Sequence, residues 1–358
     1  MAISLHSKSP LNNIVKLLNR GLEEYQYSCY QLQFQKKKKQ FAFADGVESY
    51  WTPKKISSKT LFDIGSITKT LLTTSVLARL VDKNALSISD TLDKFLPNFP
   101  KEFTKNCQIK HLLTHSSGLI GWAPLYHSKE KNFEKWFIKN YKKIRPYKAG
   151  VKTEYSDIGF LVLGEVLKTF GSLETLLKKE VAGPLKLFQT QFCPSKKLSI
   201  AATEFSLEEN KLIHKVVFDE NSRHLGGKTS HAGLFSTSSN LKRWIFECLK
   251  AYEGQSKWLS KKTATLFFTR QSLVPKSTWA LGFDTPSQKN STSGKNFSKK
   301  SIGTLGYPGC SIWCDLEKET FVILLTNRIH PTRYDERFRK LRPQIHDEVV
   351  KFLNNYEK

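Results

Sequence analysis

Apolar and polar positions follow two different periods along this chain, and the changes of period divide it. Leu11, Ile14, Val15, Leu18 and Leu22 recur at helical spacing and predict an amphipathic helix near the start. The period then shortens to two. Tyr30, Leu32 and Phe34 alternate before the run QKKKKQ at 35–40, and Phe41 and Phe43 after it, which reads as a β-hairpin with a lysine-rich tip. A short apolar segment, Leu61 to Ile64, meets Gly65 and then a run carrying Leu71, Leu72, Val76, Leu80 and Val81, so a turn and a helix are expected there. Helical patterns dominate from about 66 to 180, including SDIGFLVLGEVLKTF at 156–170. Residues 185–230 are irregular, and helical spacing returns at 238–252 and 260–271. Four segments then read as strands: WALGFDTP, SIGTLGY, CSIWCDL and TFVILLTN. The polar stretch 285–300 reads as a surface loop, and RFRKLRPQIHDEVVKFLNN as a closing helix.

Strands towards both chain ends around a helical middle predict an α/β (α+β) protein: an antiparallel sheet built from both termini, flanked by helices, with a mainly helical lobe inserted. The expected layout is a single domain over 1–358, with its α/β part at about 1–75 and 225–358 and its helical lobe at about 76–224. At 358 residues and 39% hydrophobic content the chain can bury a sizeable core.

No apolar run reaches the roughly 18 residues a spanning helix needs. The start, MAISLHSKSPLNNIVKLLNRGLEEY, lacks the apolar core of a signal peptide, so a cytoplasmic protein is expected. The six cysteines, Cys29, Cys107, Cys193, Cys248, Cys310 and Cys314, are scattered, which suits free thiols in a reducing compartment. Cys310 and Cys314 share a strand face, but no Cys or His partner has metal-ligand spacing, so no metal is expected. The net charge of +25 is compatible with a polyanion partner. The lysines are spread over the whole chain and no nucleic-acid motif accompanies them, so a nucleic-acid function is not expected.

The chemistry that deserves weighing begins at Ser66 and Lys69, three apart at a strand-to-helix junction, where they share one face of the first helical turn. The same spacing occurs at Ser128–Lys131, in the polar loop HSKEKN, and at Ser239–Lys242, where a serine cluster opening a helix is explained by capping. Spacing alone therefore does not choose, though only Ser66 has a mostly apolar neighbourhood. Of the histidines, His115 in LLTHSSGL is expected to hold a turn. His231 in SHAGLF is expected to pack structurally, with the cleft rim as the alternative.

Four further segments occur in a telling order: KHLLTHSSGL at 110–119, PYKAGVKTEYSDIGFLVLGEVL at 146–167, GGKTSHAGLFSTSSNLKRW at 226–244 and SIGTLGYPGCSIWCDLEKETFVILLTNRIHP at 301–331. With the Ser66 segment, this series resembles the serine β-lactamase and penicillin-binding-protein superfamily, most closely the class C β-lactamase-like serine hydrolases, which include esterases and D-amino-peptide hydrolases. The segments HAGLFST and TNRIHP resemble a branch linked to peptidoglycan-fragment turnover. The resemblance implies a β-lactamase/transpeptidase-like fold and selects Ser66 and Lys69 as the first catalytic element. It selects Tyr155-Ser156-Asp157 as the second. The third element, usually Lys-Thr-Gly or His-Thr-Gly, reads Thr304-Leu305-Gly306 here.

In that frame Ser66 is the nucleophile, and Lys69 and Tyr155 share the proton work, with the base left open between them. Burial and the positive end of the helix would leave Lys69 partly neutral. Asp157 would orient Lys69 or a substrate amide, and as an anion would oppose that neutralisation. The N–H of Ser66, at a helix start, is free to bind an oxyanion, and the resemblance supplies the N–H of Tyr307, after Gly306, as the second donor. Thr304 keeps a hydroxyl but no charge, which puts binding of carboxylated β-lactams or D-Ala-type termini in doubt unless a nearby basic residue substitutes. The resulting expectation is a serine hydrolase with an acyl-enzyme on Ser66, needing no cofactor. It would act on a small-molecule or peptide acyl substrate: an ester, a D-amino-acid peptide such as an anionic cell-wall fragment, or a β-lactam. The alternative is a non-catalytic binding or regulatory protein on the same fold, because of Thr304. The oligomeric state is left open.

Overall fold

The computed structural model describes residues 10–356. The part of the leader reading and of the domain span that falls on residues 1–9 and 357–358 lies outside them. Five strands build the principal sheet: β1 (Cys29–Lys36), β2 (Lys39–Gly46), β3 (Ser301–Gly306), β4 (Cys310–Asp315) and β5 (Thr320–Thr326). Their order is β2-β1-β5-β4-β3, antiparallel throughout, with Leu32 opposite Leu324 and Thr304 opposite Ile312. Segments more than 250 positions apart in sequence thus lie side by side as β1 and β5.

One face of the sheet is covered by the chain ends. The amphipathic helix Pro10–Glu23 packs with the closing helix Arg337–Asn355. Ile14, Leu18, Ile345 and Val349 close over Leu32, Phe34, Trp313 and Val322, all buried. Phe34 stacks on Phe41 at 5.0 Å and meets Phe352 edge-on at 5.9 Å. Truncating such a buried ring to alanine costs about 3–5 kcal/mol.

The other face meets the larger core. Phe321, Ile323, Leu325 and Ile312 join the helical lobe there. The polar alternation of β1 is buried on this side as well: Gln31 donates to the carbonyls of Ser57 and Thr60 (2.9 Å each) and accepts from the N–H of Ser238 at 2.8 Å, at the start of helix Ser238–Glu253. A buried amide is tolerated because its hydrogen bonds are made.

A second, three-stranded sheet, Phe62–Asp63 with Leu234–Ser236 and Gln191–Phe192, anchors the segment before Ser66. The expected strand WALGFDTP does not form. Only Asp284 makes a β-bridge, to Gly303. The bend is set at Gly282, whose φ of +76° suits glycine and whose missing Cβ leaves room for the Thr74 side chain. The polar stretch 285–300 is a loop, as expected, but it is pinned: the N–H groups of Lys295 and Asn296 donate to Asp347 of the closing helix.

Candidate active site

Ser66 follows a tight turn that the surrounding residues impose. Asp63, buried, accepts from the N–H of Gly65 (2.9 Å) and of Phe218 (2.7 Å). Burial pushes its carboxyl up to about 6, against these two hydrogen bonds. Gly65 has φ +51°, and a Cβ there would lie 2.6 Å from Pro308 and 3.2 Å from the Tyr307 nitrogen. A Cβ on Gly306 would lie 2.2 Å from the Ile64 carbonyl oxygen. The two glycines let the Ser66 turn and the end of β3 touch.

Beyond Ser66 the helix opens with a π-helical segment, Lys69–Thr74, before becoming α-helical over Ser75–Asp82. Lys69 is 3% exposed and three oxygens surround its ammonium: it donates to Ser66 Oγ at 2.9 Å and to the His231 carbonyl at 3.0 Å, and Asp157 Oδ1 forms an ion pair with it at 2.6 Å. This corrects the expectation of a partly neutral lysine. Burial does work against the charge, but the Asp157 carboxylate and the neighbouring Tyr155 outweigh it, and the pKa lies above that of ordinary lysine.

Tyr155-Ser156-Asp157 is delivered by a helix start. Ser156 caps helix Asp157–Lys168 by accepting from Gly159 N–H, and donates to the Ile120 carbonyl. Asp157 is the first helical residue, where the helix dipole favours an anion. His115 holds the segment from both sides: its carbonyl accepts from Glu154 N–H at 2.8 Å and its Nδ1 from Ser156 N–H at 3.0 Å, with the ring 4.6 Å from that of Tyr155. His115 itself sits at φ +54°, and burial, then Lys69, keeps its pKa well below the ordinary histidine value. It is the turn-holding residue the sequence suggested. The Tyr155 ring faces the cleft while its hydroxyl reaches Ser66 and Lys69, and burial of that end raises its pKa.

The backbone N–H groups of Ser66 and Tyr307 have no acceptor among the described residues. Thr304 is largely buried and its hydroxyl accepts from Thr70 Oγ1 at 2.8 Å. Ser66, Lys69, Tyr155, Asp157, Thr304, Gly306 and Tyr307 all border one cavity of about 580 Å³.

The two other Ser-x-x-Lys matches do not form pairs. Ser128 Oγ accepts from Glu130 N–H, Ser239 Oγ accepts from Gln33, and Lys242 reaches Gln40. The cap of helix Ser238–Glu253 is Thr237 rather than a serine. His231 is 1% exposed and bonds Asp219 through Nε2 at 3.0 Å, behind the cleft. Burial would raise the Asp219 carboxyl, but His231 and its hydrogen bond hold it below the usual carboxylate value. Asp157, Asp219 and His231 bring ligand-type atoms within 4.8 Å of one another, and the Lys69 ammonium supplies the positive charge at Asp157.

Several cleft residues were not anticipated from sequence. Trp279 packs against the rings of His115 and Tyr155, and Trp122 also lines the cavity; Phe218 stacks on Tyr307 at 5.3 Å; Arg328, bonded to the Tyr307 carbonyl, lines the cavity with Arg333, Arg339 and Arg342. A signal existed for two of these: Arg339 and Arg342 are three apart in RFRKLR and share a helix face.

A fold that brings Ser66, Lys69 and Tyr155 together at one cleft is the arrangement the resemblance implied. The Beta-lactamase family model matches residues 14–345, and the chain belongs to that family. It is 28% identical over 323 residues to an N-acetylmuramyl-L-alanine amidase of Bacillus subtilis (strain 168), covering 80% of this chain and 72% of the relative. The hydrolase EstCE1, described as having promiscuous acyltransferase activity, superposes with a TM-score of 0.77 at 19% identity, over 95% of this chain and 98% of its own. A class C β-lactamase superposes at 0.76 with 17% identity, over 96% and 98%. These two likenesses establish the shared fold.

Proposed function

We propose that the chain is a serine hydrolase that forms an acyl-enzyme on Ser66. The observation that carries this reading is the Lys69 nitrogen 2.9 Å from Ser66 Oγ, next to two backbone N–H groups without acceptors among the described residues. Lys69 becomes a base only after giving up a proton, and Asp157 Oδ1, at 2.6 Å, is in place to take it. The freed amine then accepts the Ser66 proton as Oγ attacks the acyl carbon. The N–H groups of Ser66 and Tyr307 hold the tetrahedral oxyanion, a donor of this type being worth about 3 kcal/mol. Tyr155 relays the proton from Lys69 to the leaving group, Asp157 returns its proton to Lys69, and water later releases the acyl group from Ser66.

The substrate class is an acyl compound of the cell-wall-peptide or ester type. The name of the Bacillus amidase supports the former. A cytoplasmic setting is part of the proposal, supported by six unpaired cysteines, five of them buried. No helix among the described residues is long and apolar enough to cross a membrane. We further take the chain as one domain with the division given above.

Intact mass after exposure to a fluorophosphonate probe tests the chemistry. A single adduct on the wild type, absent from Ser66→Ala, is expected. A folded wild type that takes no adduct would overturn the hydrolase reading. It would favour a binding protein on the same fold, the reading that uncharged Thr304 and the charged resting state of Lys69 support.

A further inference from the structure

Asp63 is a buried acid that the hydrolytic steps do not use. It is 2% exposed, and among the described residues its carboxylate bonds only to backbone N–H groups. Arg223, whose charge it feels, is bonded elsewhere, to the carbonyls of Val217 and Phe218 and to Glu209. Burial lifts the carboxyl to about 6, so at neutral pH it is ionised at a cost to stability. Local rules of this kind are broken most often where function requires it.

The two oxygens face two different parts of the cleft. Oδ1 accepts from Gly65 N–H at 2.9 Å, inside the turn that presents Ser66. Oδ2 accepts from Phe218 N–H at 2.7 Å, 155 positions further along the chain. The Phe218 ring lies on that of Tyr307, with centres 5.3 Å apart and planes 7° from parallel. Ser66 and Tyr307 carry the two cleft N–H groups that have no acceptor among the described residues. One carboxylate thus reaches both halves of the oxyanion site, and its charge makes each bond stronger than a neutral one.

We propose that Asp63 is a positioning residue that sets the Ser66 and Tyr307 N–H groups at the spacing a tetrahedral oxyanion needs. It touches neither the substrate nor the reacting atoms. The halves it joins have no slack between them: a Cβ on Gly65 would lie 3.2 Å from the Tyr307 nitrogen, and one on Gly306 2.2 Å from the Ile64 carbonyl oxygen. A shift at Asp63 is therefore passed on to the donors. Asparagine cannot replace it, because its amide has one acceptor oxygen and its NH2 would face one of the two N–H donors. The catalytic half of this proposal rests on the hydrolase reading; the coupling of two segments through one carboxylate does not.

The test compares a 4-nitrophenyl ester with the thionoester of the same acid, in wild type and Asp63→Asn. A thionoester sulfur accepts hydrogen bonds weakly, so its rate draws little on the two N–H groups, while Lys69 and Tyr155 serve both compounds alike. Asp63→Asn is expected to lower kcat for the ester about tenfold or more, with KM within about threefold, and to lower the ester-to-thionoester rate ratio by a similar factor. A cooperative thermal transition shows that the variant folds. An unchanged ratio, whether or not both rates fall, overturns the proposal. If Asp63→Asn does not fold, Phe218→Ala breaks the same path at the ring: a lowered ratio upholds the proposal and an unchanged one overturns it. If wild type hydrolyses neither compound, the hydrolase reading fails separately, and amide hydrogen exchange decides the coupling. Faster exchange in both the Ser66 turn and the Tyr307 segment of Asp63→Asn, with the closing helix unchanged, upholds it. Acceleration in one segment, in neither, or throughout the chain overturns it.

Discussion

Lys69 and Arg342 line one cleft, are both more than nine-tenths buried, and are opposites in how the protein treats them. Lys69 donates two hydrogen bonds and has a carboxylate oxygen 2.6 Å away. Arg342 has neither among the described residues. The difference follows from what each stands next to. Lys69 lies beside the first turn of helix Asp157–Lys168, where an acid is favoured by the helix dipole, and its charge is settled before any ligand arrives. Arg342 stands on the closing helix among other arginines.

Lys69→Met is the harshest test of this contrast. It is expected to cut hydrolysis by roughly 1,000-fold or more. It also leaves Asp157 without its partner, at a cost of about 2–4 kcal/mol in a denaturant titration, tempered by the partial exposure of Asp157. The same replacement at Arg342 is expected to change stability in the other direction. Losses of stability at both positions would mean that Arg342 is compensated after all.

Asp157→Asn is gentler and separates charge from shape. The raised pKa of Lys69 means that its contribution to stability is complete below the unfolded-lysine value of about 10.4 and fades as pH climbs through the folded value. At neutral pH the pair is fully formed. Removing the anion lets the Lys69 pKa fall but also removes the internal proton acceptor, so kcat/KM is expected to drop about tenfold or more at neutral pH and to gain a rising limb at alkaline pH, where Lys69 loses its proton to solvent. Absence of that limb would assign the base to another group.

The smallest effect is expected at the sequence look-alike of the nucleophile. Ser239→Ala removes only the hydrogen bond from Gln33, about 1 kcal/mol of stability, and leaves probe labelling intact. Loss of labelling with the fold preserved would show that Ser66 is not the only reactive serine.

Local pattern made much of the architecture readable. The alternation through Tyr30, Leu32 and Phe34 and the helical spacing of Ile14 and Leu18 gave strand and helix because one face of each must be buried. WALGFDTP misled because its apolar residues serve two surroundings: Trp279 borders the cleft, Ala280, Leu281 and Phe283 pack into the main core, and Gly282 breaks the extended run to let Thr74 in. The candidate site was readable in its members and not in its charge states. Ser66, Lys69, Tyr155 and Asp157 were each marked by their segments, and the structure brings them to one place. That Lys69 is held fully charged depends on a carboxylate 88 positions away being 2.6 Å distant, a length no spacing rule encodes.

By itself, then, the sequence determined the element types and the order of the segments, because periodicity and turn chemistry act over a few residues, while the Ser66 cluster was only implied by the resemblance those segments carry. Tertiary structure alone decided which of three Ser-x-x-Lys pairs meets, and that the glutamines of β1 are buried. It also decided that Arg328 bonds the Tyr307 carbonyl at one side of the cleft. Burial and charge pairing depend on distances through space, and those exist only once the sheet has joined the two ends of the chain.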